Sequence, residues 1–272
     1  ECQSLTLVNT VMTEFHFQKW QATGNDFVIV DNRTHQLNNY SPHIIKSICD
    51  RKFGIGADGF MLLKSSKKYD FEMKYFNADG FEAEMCGNGG RSIVGFARKL
   101  GIISDITRFK AIDGLHDGVV LGEDNYRIKM ARVEEVVQKE SGIFLNTGVP
   151  HLVVFSKDLD KEDVFKTGRA LRYSQEFAPS GTNVNFIQPD GKQIRMRTYE
   201  RGVENETLSC GTGAVAACIA TEFSNHYGKE QYQVHVPGGS LLISFSRLDE
   251  QRFTDIFLEG EARMVFEGQM TL

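Results

Sequence analysis

Apolar residues fall in short runs along most of the chain: Phe27–Val30, Phe60–Leu63, Phe71–Phe76, Tyr126–Met130, Leu152–Phe155, Val184–Ile187, Ile194–Tyr199, Tyr232–Val236, Leu241–Phe245 and Ile256–Leu258. Short runs that are continuous or alternating predict strands. Apolar positions at helical spacing mark four other stretches, Pro42–Arg51, Gly89–Leu100, Asp160–Phe177 and Gly213–His226. Strands outnumber helices and are often spaced like hairpins. The pattern therefore predicts an α+β fold with mixed sheets rather than a doubly wound parallel sheet.

Two of these helices share their surroundings. The first half reads Phe71-EMKYFNADGFEAEM-Cys86-GNGGRSIVGFARKLG, and the second reads Ile194-RMRTYERGVENETLS-Cys210-GTGAVAACIATEFSNHYG. Each is a strand, a Gly-containing acidic turn, a Cys-Gly-x-Gly and an apolar helix that ends at Gly101 or Gly228. GNDFVIV (24–30) reads as a partner of GTNVNFI (181–187). The spacing from Gly80 to Cys86 is 6 and from Gly202 to Cys210 is 8, so the repeat is a diverged duplication. A repeat of this length is one fold used twice, not a solenoid.

The 272 residues carry 31 Lys and Arg against 36 Asp and Glu, a net charge of −5. A nucleic-acid binder would show an excess of basic residues. The longest uncharged stretches, 141–156 and 231–246, span 16 residues each and contain Gly, Pro or His. A membrane span needs about 20 apolar residues, so none is expected. No basic stretch leads into an apolar run at the N-terminus, so no secretory signal is expected either. Residues 1–13 differ in character from the rest of the chain, and Met12 offers an alternative start. The five cysteines, Cys2, Cys49, Cys86, Cys210 and Cys218, form no CxxC and no zinc-finger spacing. Their number is odd and their placement scattered, which fits a reduced, cytoplasmic protein rather than a disulfide framework.

The 26 glycines exceed the usual share of about 7%, and the two Cys-Gly-x-Gly turns account for part of the excess. Glycines at a helix start leave backbone N–H groups free to face a ligand, and the peptide dipoles make that place attractive to an anion. A cysteine there is expected to have its pKa lowered from about 8.5 by the same field. One such motif alone reads as a buried cysteine beside a tight turn. Two, one in each half, point to a paired function. Cys218, inside AVAACIA, and Cys49, inside HIIKSICD, read as packing.

Gly54-I-Gly56-A-D-Gly59 and Gly211-T-Gly213-A-V-Ala216 fit dinucleotide glycine patterns, but neither has the strand, helix and acidic residue in the required order. Asn25, Asn77, Asn88, His151, Asn183, Glu200 and Arg201 are further polar candidates. Each alone fits a turn, a strand edge or a solvated pair.

Taken together, TGNDF (23–27), GIGADG (54–59), FNADG (76–80), MCGNGGR (85–91), GVPH (148–151), TNVNF (182–186), YERGVENET (199–207), SCGTGA (209–214), VPGGSL (236–241) and GEA (260–262) make the chain resemble the diaminopimelate epimerase family over residues 15–272. The resemblance implies two similar domains, each a sheet wrapped around a central helix, with the active site in the cleft between them. The expected division is 14–129, joined by a C-terminal strand 262–272, and 130–261. The resemblance further implies a cytoplasmic homodimer that interconverts LL- and meso-2,6-diaminopimelate for lysine and peptidoglycan-precursor synthesis, with no cofactor or metal. Cys86 and Cys210 match the catalytic cysteines. Asn25, Asn77, Asn183, Glu200 and Arg201 match substrate-contacting positions, and Gly87–Asn88 and Gly211–Thr212 match carboxylate-binding turns. His151 and Glu200 match residues that tune the thiols. The chain departs from the pattern at Gly59, where many members have Gln, and at Val149, where many have Asn.

Inverting a stereocentre requires a proton to leave one face and arrive at the other, which two flanking acid–base groups accomplish without turning the intermediate over. Acid–base transfer contributes about 10²–10⁴-fold, so charge stabilisation by helix-start N–H groups in a closed, dry cleft is also expected. Three other readings compete. They are a proline or hydroxyproline racemase of the same architecture, a cysteine nucleophile with His151 as base, and a non-catalytic anion- or nucleotide-binding module.

Overall fold

The computed structural model describes residues 14–38, 40–225, 228 and 230–272. The atypical start with Cys2 and Met12, and His226 at the end of the fourth expected helix, lie outside the described residues. Strands dominate. In the first half they are β1 (Glu14–Ala22), β2 (Asn25–Asp31), β3 (Gly59–Lys64), β4 (Phe71–Asn77), β5 (Ile106–Ala111), β6 (Gly114–Val120) and β7 (Asn125–Lys129). Helix α1 (Pro42–Cys49) joins β2 to β3, and α2 (Gly87–Lys99) joins β4 to β5. The second half holds β8 (Val136–Gln138), β9 (Ile143–Asn146), β10 (Pro150–Phe155), β11 (Asn183–Asp190), β12 (Gln193–Glu200), β13 (Asn205–Thr207), β14 (Gln231–Val236), β15 (Gly239–Arg247) and β16 (Phe253–Glu261). Helix α3 (Val164–Arg172) lies between β10 and β11, and α4 (Gly211–Asn225) between β12 and β14. The last strand, β17 (Arg263–Thr271), returns to pair with β1.

The ladder shows the duplication strand by strand. Along β17-β1-β2-β3-β4-β5-β6-β7 every pairing is antiparallel except β2 with β3 and β4 with β5. Along β8-β9-β10-β11-β12-β14-β15-β16 every pairing is antiparallel except β10 with β11 and β12 with β14. In each half the parallel pairs are the ones bridged by helices, as a crossover requires. Antiparallel β7–β16 pairing fuses the two ladders. This topology corrects the expected match of 24–30 with 181–187. β2 corresponds to β10, whereas β11 corresponds to β3, so the resemblance of Gly24-Asn25 to Gly181-Thr182-Asn183 lies at non-equivalent strands.

Each ladder curls around its own helix. Helix α2 is buried from Gly87 to Ala97 and α4 from Gly211 to Glu222 apart from Thr212, and residues of both belong to one continuous core. Gly95 of α2 makes room for that packing, since a Cβ there would lie 2.6 Å from the Trp20 ring. The β2–β3 pair is covered on both faces. Phe27 and Ile29 pack toward α2, while Val28 and Val30 join Ile45 and Ile48 of α1 in a second core. Burial on both faces explains why β2 reads as a continuous apolar run. A third core, with Leu152, Val164, Val184 and Phe186, lies under α3.

Two helices differ from their expected spans for local reasons. Helix α1 stops at Cys49 because Asp50 turns extended and its carboxylate accepts from the N–H groups of Lys52 and Phe53. The stretch expected as one helix over Asp160–Phe177 is broken into α3 flanked by short 3₁₀ turns, because the Asp163 side chain caps α3 by accepting from Lys166 N at 3.0 Å. No helix among the described residues is long and apolar enough to cross a membrane.

Candidate functional site

The equivalent strands β4 and β12 end at Asn77 and Glu200. Each is followed by a turn with a positive-φ glycine, Gly80 at φ +94° and Gly202 at φ +93°. Both turns lead to a cysteine at a helix start. Cys86 is the N-cap of α2, and its Sγ accepts from Gly89 N at 3.2 Å. Cys210 immediately precedes α4, with Sγ 3.5 Å from Thr212 Oγ1. The two helix starts abut. A Cβ built on Gly211 would lie 3.5 Å from Gly87 Cα and 3.6 Å from Asn88 Oδ1. Leu258 of β16 lies against both, 2.9 Å from a Cβ at Gly87 and 3.5 Å from one at Gly211.

This geometry explains the second glycine of each motif. A Cβ at Gly89 would come 3.2 Å from Cys86 Sγ, and one at Gly213 would come 3.2 Å from Cys210 Sγ. Glycine lets each sulfur fold back over the first helical turn. At Gly213 the added carbon would also meet Asn185 Oδ1 at 2.3 Å.

The expectation of lowered thiol pKa values is corrected by burial. Burial pushes the Cys86 thiol up to about 11, against the Gly89 N–H, which favours the thiolate. Burial likewise pushes Cys210 up to about 12, reinforced by the Glu200 charge and opposed by the Thr212 hydroxyl and the Gly213 N–H. The helix-start donors act in the expected direction, but desolvation of the charged form outweighs them. Each thiol lies within the electrostatic reach of Glu200, and Cys86 acts on Cys210. Glu200 is itself shifted up by burial and by Asp58, while Thr207, donating to Glu200 Oε2 at 2.9 Å, holds it down.

His151 is fully buried in β10. Burial, aided by the Arg201 charge, holds its pKa down at about 3, so the ring is neutral at physiological pH. Its Nε2 lies 2.9 Å from Thr212 Oγ1 and its Nδ1 3.0 Å from Asn185 Nδ2. Asn183 at the start of β11 accepts from Arg201 N at 2.8 Å and donates to Pro150 O at 3.1 Å, which ties the strand ends together. On the α2 side, Asn88 Nδ2 is 3.5 Å from Asn25 Oδ1, and Asn25 donates to Asp58 at 2.8 Å. Asn77 pairs with Gly59 in the ladder and is exposed, with no side-chain hydrogen bond to another described residue.

Four positions beside these helix starts are not singled out by the sequence. Arg91 is fully buried without a carboxylate in ion-pair range among the described residues, and burial pulls its pKa down to about 10. It donates to Asn88 Oδ1 at 2.9 Å, and its charge favours the Cys86 thiolate. A buried cation needs a negative partner, and the Cys86 sulfur is the group here able to become one. Thr23 donates to Ser209 across the halves. Asn185 orients His151. Tyr75 covers Gly59, its Cε2 2.5 Å from where a Cβ would stand, which is why no side chain fits at 59. Asn185 and Arg91 did carry a signal, a polar residue at an inward position of an otherwise apolar element.

Comparison with known proteins points the same way. The family model for diaminopimelate epimerase matches residues 17–111 and 143–265. A protein named diaminopimelate epimerase from Flavobacterium psychrophilum is 46% identical, covering 92% of this chain and 97% of that protein. One of the same name from Aquifex aeolicus is 39% identical, covering 94% and 97%. Among solved structures, a Bacillus anthracis phenazine biosynthesis protein of the PhzF family has a TM-score of 0.74 at 15% identity, covering 95% of this chain and 99% of its own. A hydroxyproline epimerase from Agrobacterium vitis, with bound trans-4-hydroxy-L-proline, has a TM-score of 0.71 at 14% identity, covering 96% and 93%. At such identities the likeness is one of fold alone, so the racemase alternative shares the architecture and not the sequence.

Proposed function

The chain belongs to the diaminopimelate epimerase family, and from that premise we propose that Cys86 and Cys210 are the two groups that exchange a proton at the substrate α-carbon. The enzyme is an isomerase that interconverts LL- and meso-2,6-diaminopimelate. One observation carries the residue assignment. Two topologically equivalent helices, one from each half, meet start to start with a cysteine at each start.

In this scheme one sulfur is thiolate and removes Hα, while the other is thiol and delivers its proton to the opposite face. The roles exchange in the reverse direction. The α-carboxylate binds at Gly87–Asn88 and Gly211–Thr212, where backbone N–H groups of both helix starts receive the charge that spreads onto it when Hα leaves. Arg91 orients Asn88 from behind and supplies positive charge on the Cys86 side. Asn25, Asn77, Asn183, Glu200 and Arg201 line the strand ends and hold the rest of the substrate. His151 stays neutral and acts through Thr212, and Glu200 sets the field felt by both sulfurs. Closure of the two halves over the substrate dries the cleft. Turnover of LL-diaminopimelate by Cys86→Ala and by Cys210→Ala tests the assignment. Each should lose activity, and full epimerisation by either would contradict it.

The domain division 14–129 with 262–272, and 130–261, is part of the same proposal, supported by the matching ladders and by β17 pairing with β1. So is a homodimer, supported by β17, which among the described residues pairs with β1 alone and exposes Val265 and Phe266. A cytoplasmic location is supported by Cys49, Cys86, Cys210 and Cys218, all free thiols.

A further inference from the structure

We propose that Asn185 is a positioning residue that sets the tautomer of His151 and thereby turns the Thr212 hydroxyl toward Cys210. The inference rests on Cys210 being one of the two acid–base groups. Asn185 Nδ2 lies 3.3 Å from Leu152 O, and a carbonyl oxygen only accepts. The opposite end, Oδ1, accepts from Thr198 Oγ1 at 3.0 Å. The amide is therefore held with its NH₂ toward β10. The same NH₂ lies 3.0 Å from His151 Nδ1. An amide nitrogen only donates, so Nδ1 is the bare, accepting nitrogen of the neutral ring, and the ring proton sits on Nε2.

From there the direction propagates. Nε2–H donates to Thr212 Oγ1 at 2.9 Å, which occupies the hydroxyl as an acceptor and leaves its own hydrogen to point elsewhere. Cys210 Sγ stands 3.5 Å away. The Thr212 carbonyl is engaged separately by Thr147 Oγ1 at 3.0 Å, which holds the residue in place. Thr198, Asn185, His151, Thr212 and Cys210 thus form one directed chain of donors that ends on a sulfur. Its last hydrogen bond favours the thiolate of Cys210 over the thiol. The charged groups facing this chain are Glu200 and Cys86 on the Cys210 side and Arg201 on the His151 side. In this arrangement the nitrogen that faces Thr212, Nε2, already carries its proton and takes none from that hydroxyl.

Asn185→Asp reverses the chain where the ring stays neutral, and it also takes from Leu152 O the amide N–H that it accepted. A carboxylate accepts from Nδ1–H, so Nε2 becomes bare, Thr212 donates to the ring and Cys210 loses its donor. The expected result is a loss of about tenfold in kcat with KM little changed, the size of one hydrogen bond to a charged group. The rising limb of the pH profile should move up by roughly one unit. Thr212→Val should reproduce both effects and Thr212→Ser should restore them. The wild-type enzyme supplies a readout that no folding defect can obscure. Long-range ¹H–¹⁵N correlations of His151, assigned by their loss in His151→Gln, should show the Nε2–H tautomer. An Nδ1–H tautomer in the wild type, or a Thr212→Val enzyme with the wild-type pH profile, overturns the inference while leaving the two-thiol scheme intact. Full epimerisation by Cys210→Ala overturns both.

Discussion

Thr23 donates its hydroxyl to Ser209 at 2.8 Å, joining the turn between β1 and β2 to the residue that precedes Cys210. The same oxygen is 3.3 Å from Arg91 Nη2. One side chain thus links the first half, the buried guanidinium behind Asn88 and the residue that leads into the second cysteine. Its backbone is held by contact as well, since a Cβ at Gly238 would stand 1.8 Å from Thr23 O. Thr23→Val keeps the shape and removes both hydrogen bonds. It should cost about 1–3 kcal/mol of stability, because it leaves buried donors and acceptors unsatisfied. Urea unfolding measures this, and an unchanged midpoint and slope would contradict the link.

Gly213→Ala places a methyl group 2.3 Å from Asn185 Oδ1 and 3.2 Å from Cys210 Sγ. Either Asn185 moves or the first turn of α4 does. We expect a stability loss of about 1–3 kcal/mol from overpacking and a kcat reduced more than tenfold, as misplaced acid–base groups lose geometry. Kinetics beside denaturant unfolding would separate the two. Wild-type kcat in this variant would show that the close approach of sulfur to helix is immaterial.

Burial of His151 makes stability depend on acid. The folded ring resists protonation until about pH 3, while the unfolded ring takes a proton near its usual pKa of about 6.5. Between those values the unfolded state binds more protons, so stability rises with pH across the window and falls on acidification. From pH 7 to pH 5 the loss assigned to this residue is about 2 kcal/mol. His151→Gln should flatten the pH dependence of unfolding over that range. A variant as acid-sensitive as the wild type would contradict the burial argument.

Much of this arrangement is legible in the amino-acid sequence. The duplicated Cys-Gly-x-Gly showed itself because a glycine-rich helix start is a compact, local signal, and the apolar strands showed themselves because their side chains alternate or are buried on both faces. β5 did not, because its inward residues are Thr107, Phe109 and Ala111 while Ile106 faces solvent at 74% exposure. β1 did not either, since its inward residues include the polar Lys19, and the largely exposed β17 has no apolar alternation of its own, so that the strand over 262–272 is expected from the resemblance alone. The equivalence of β11 with β3 could not be seen at all, for it is a fact of pairing rather than of residue type. The raised thiol pKa values escaped for a related reason. The helix dipole is local and legible, whereas desolvation depends on what the rest of the chain folds over the sulfur.

Raised thiol pKa values predict that reactivity climbs with alkalinity. With Cys86 pushed up to about 11 and Cys210 to about 12, the thiolate fraction of the free enzyme grows through neutral pH. Alkylation by iodoacetamide and kcat/KM should therefore both rise between about pH 6 and about pH 8. Cys86, the more exposed of the two, should be modified first. Mass mapping of the labelled cysteine checks this, and a rate independent of pH would contradict it.

The central claim is that two sulfurs act on opposite faces of one carbon, and hydrogen isotopes read it most directly. LL-diaminopimelate is incubated with the enzyme in D₂O and sampled well before the isomers approach equilibrium. Two flanking acid–base groups should place one deuterium at the inverted α-carbon of the meso product, while the unreacted LL isomer carries none. A meso product that keeps the original hydrogen, or deuterium entering the LL isomer as fast as the product, would contradict the account.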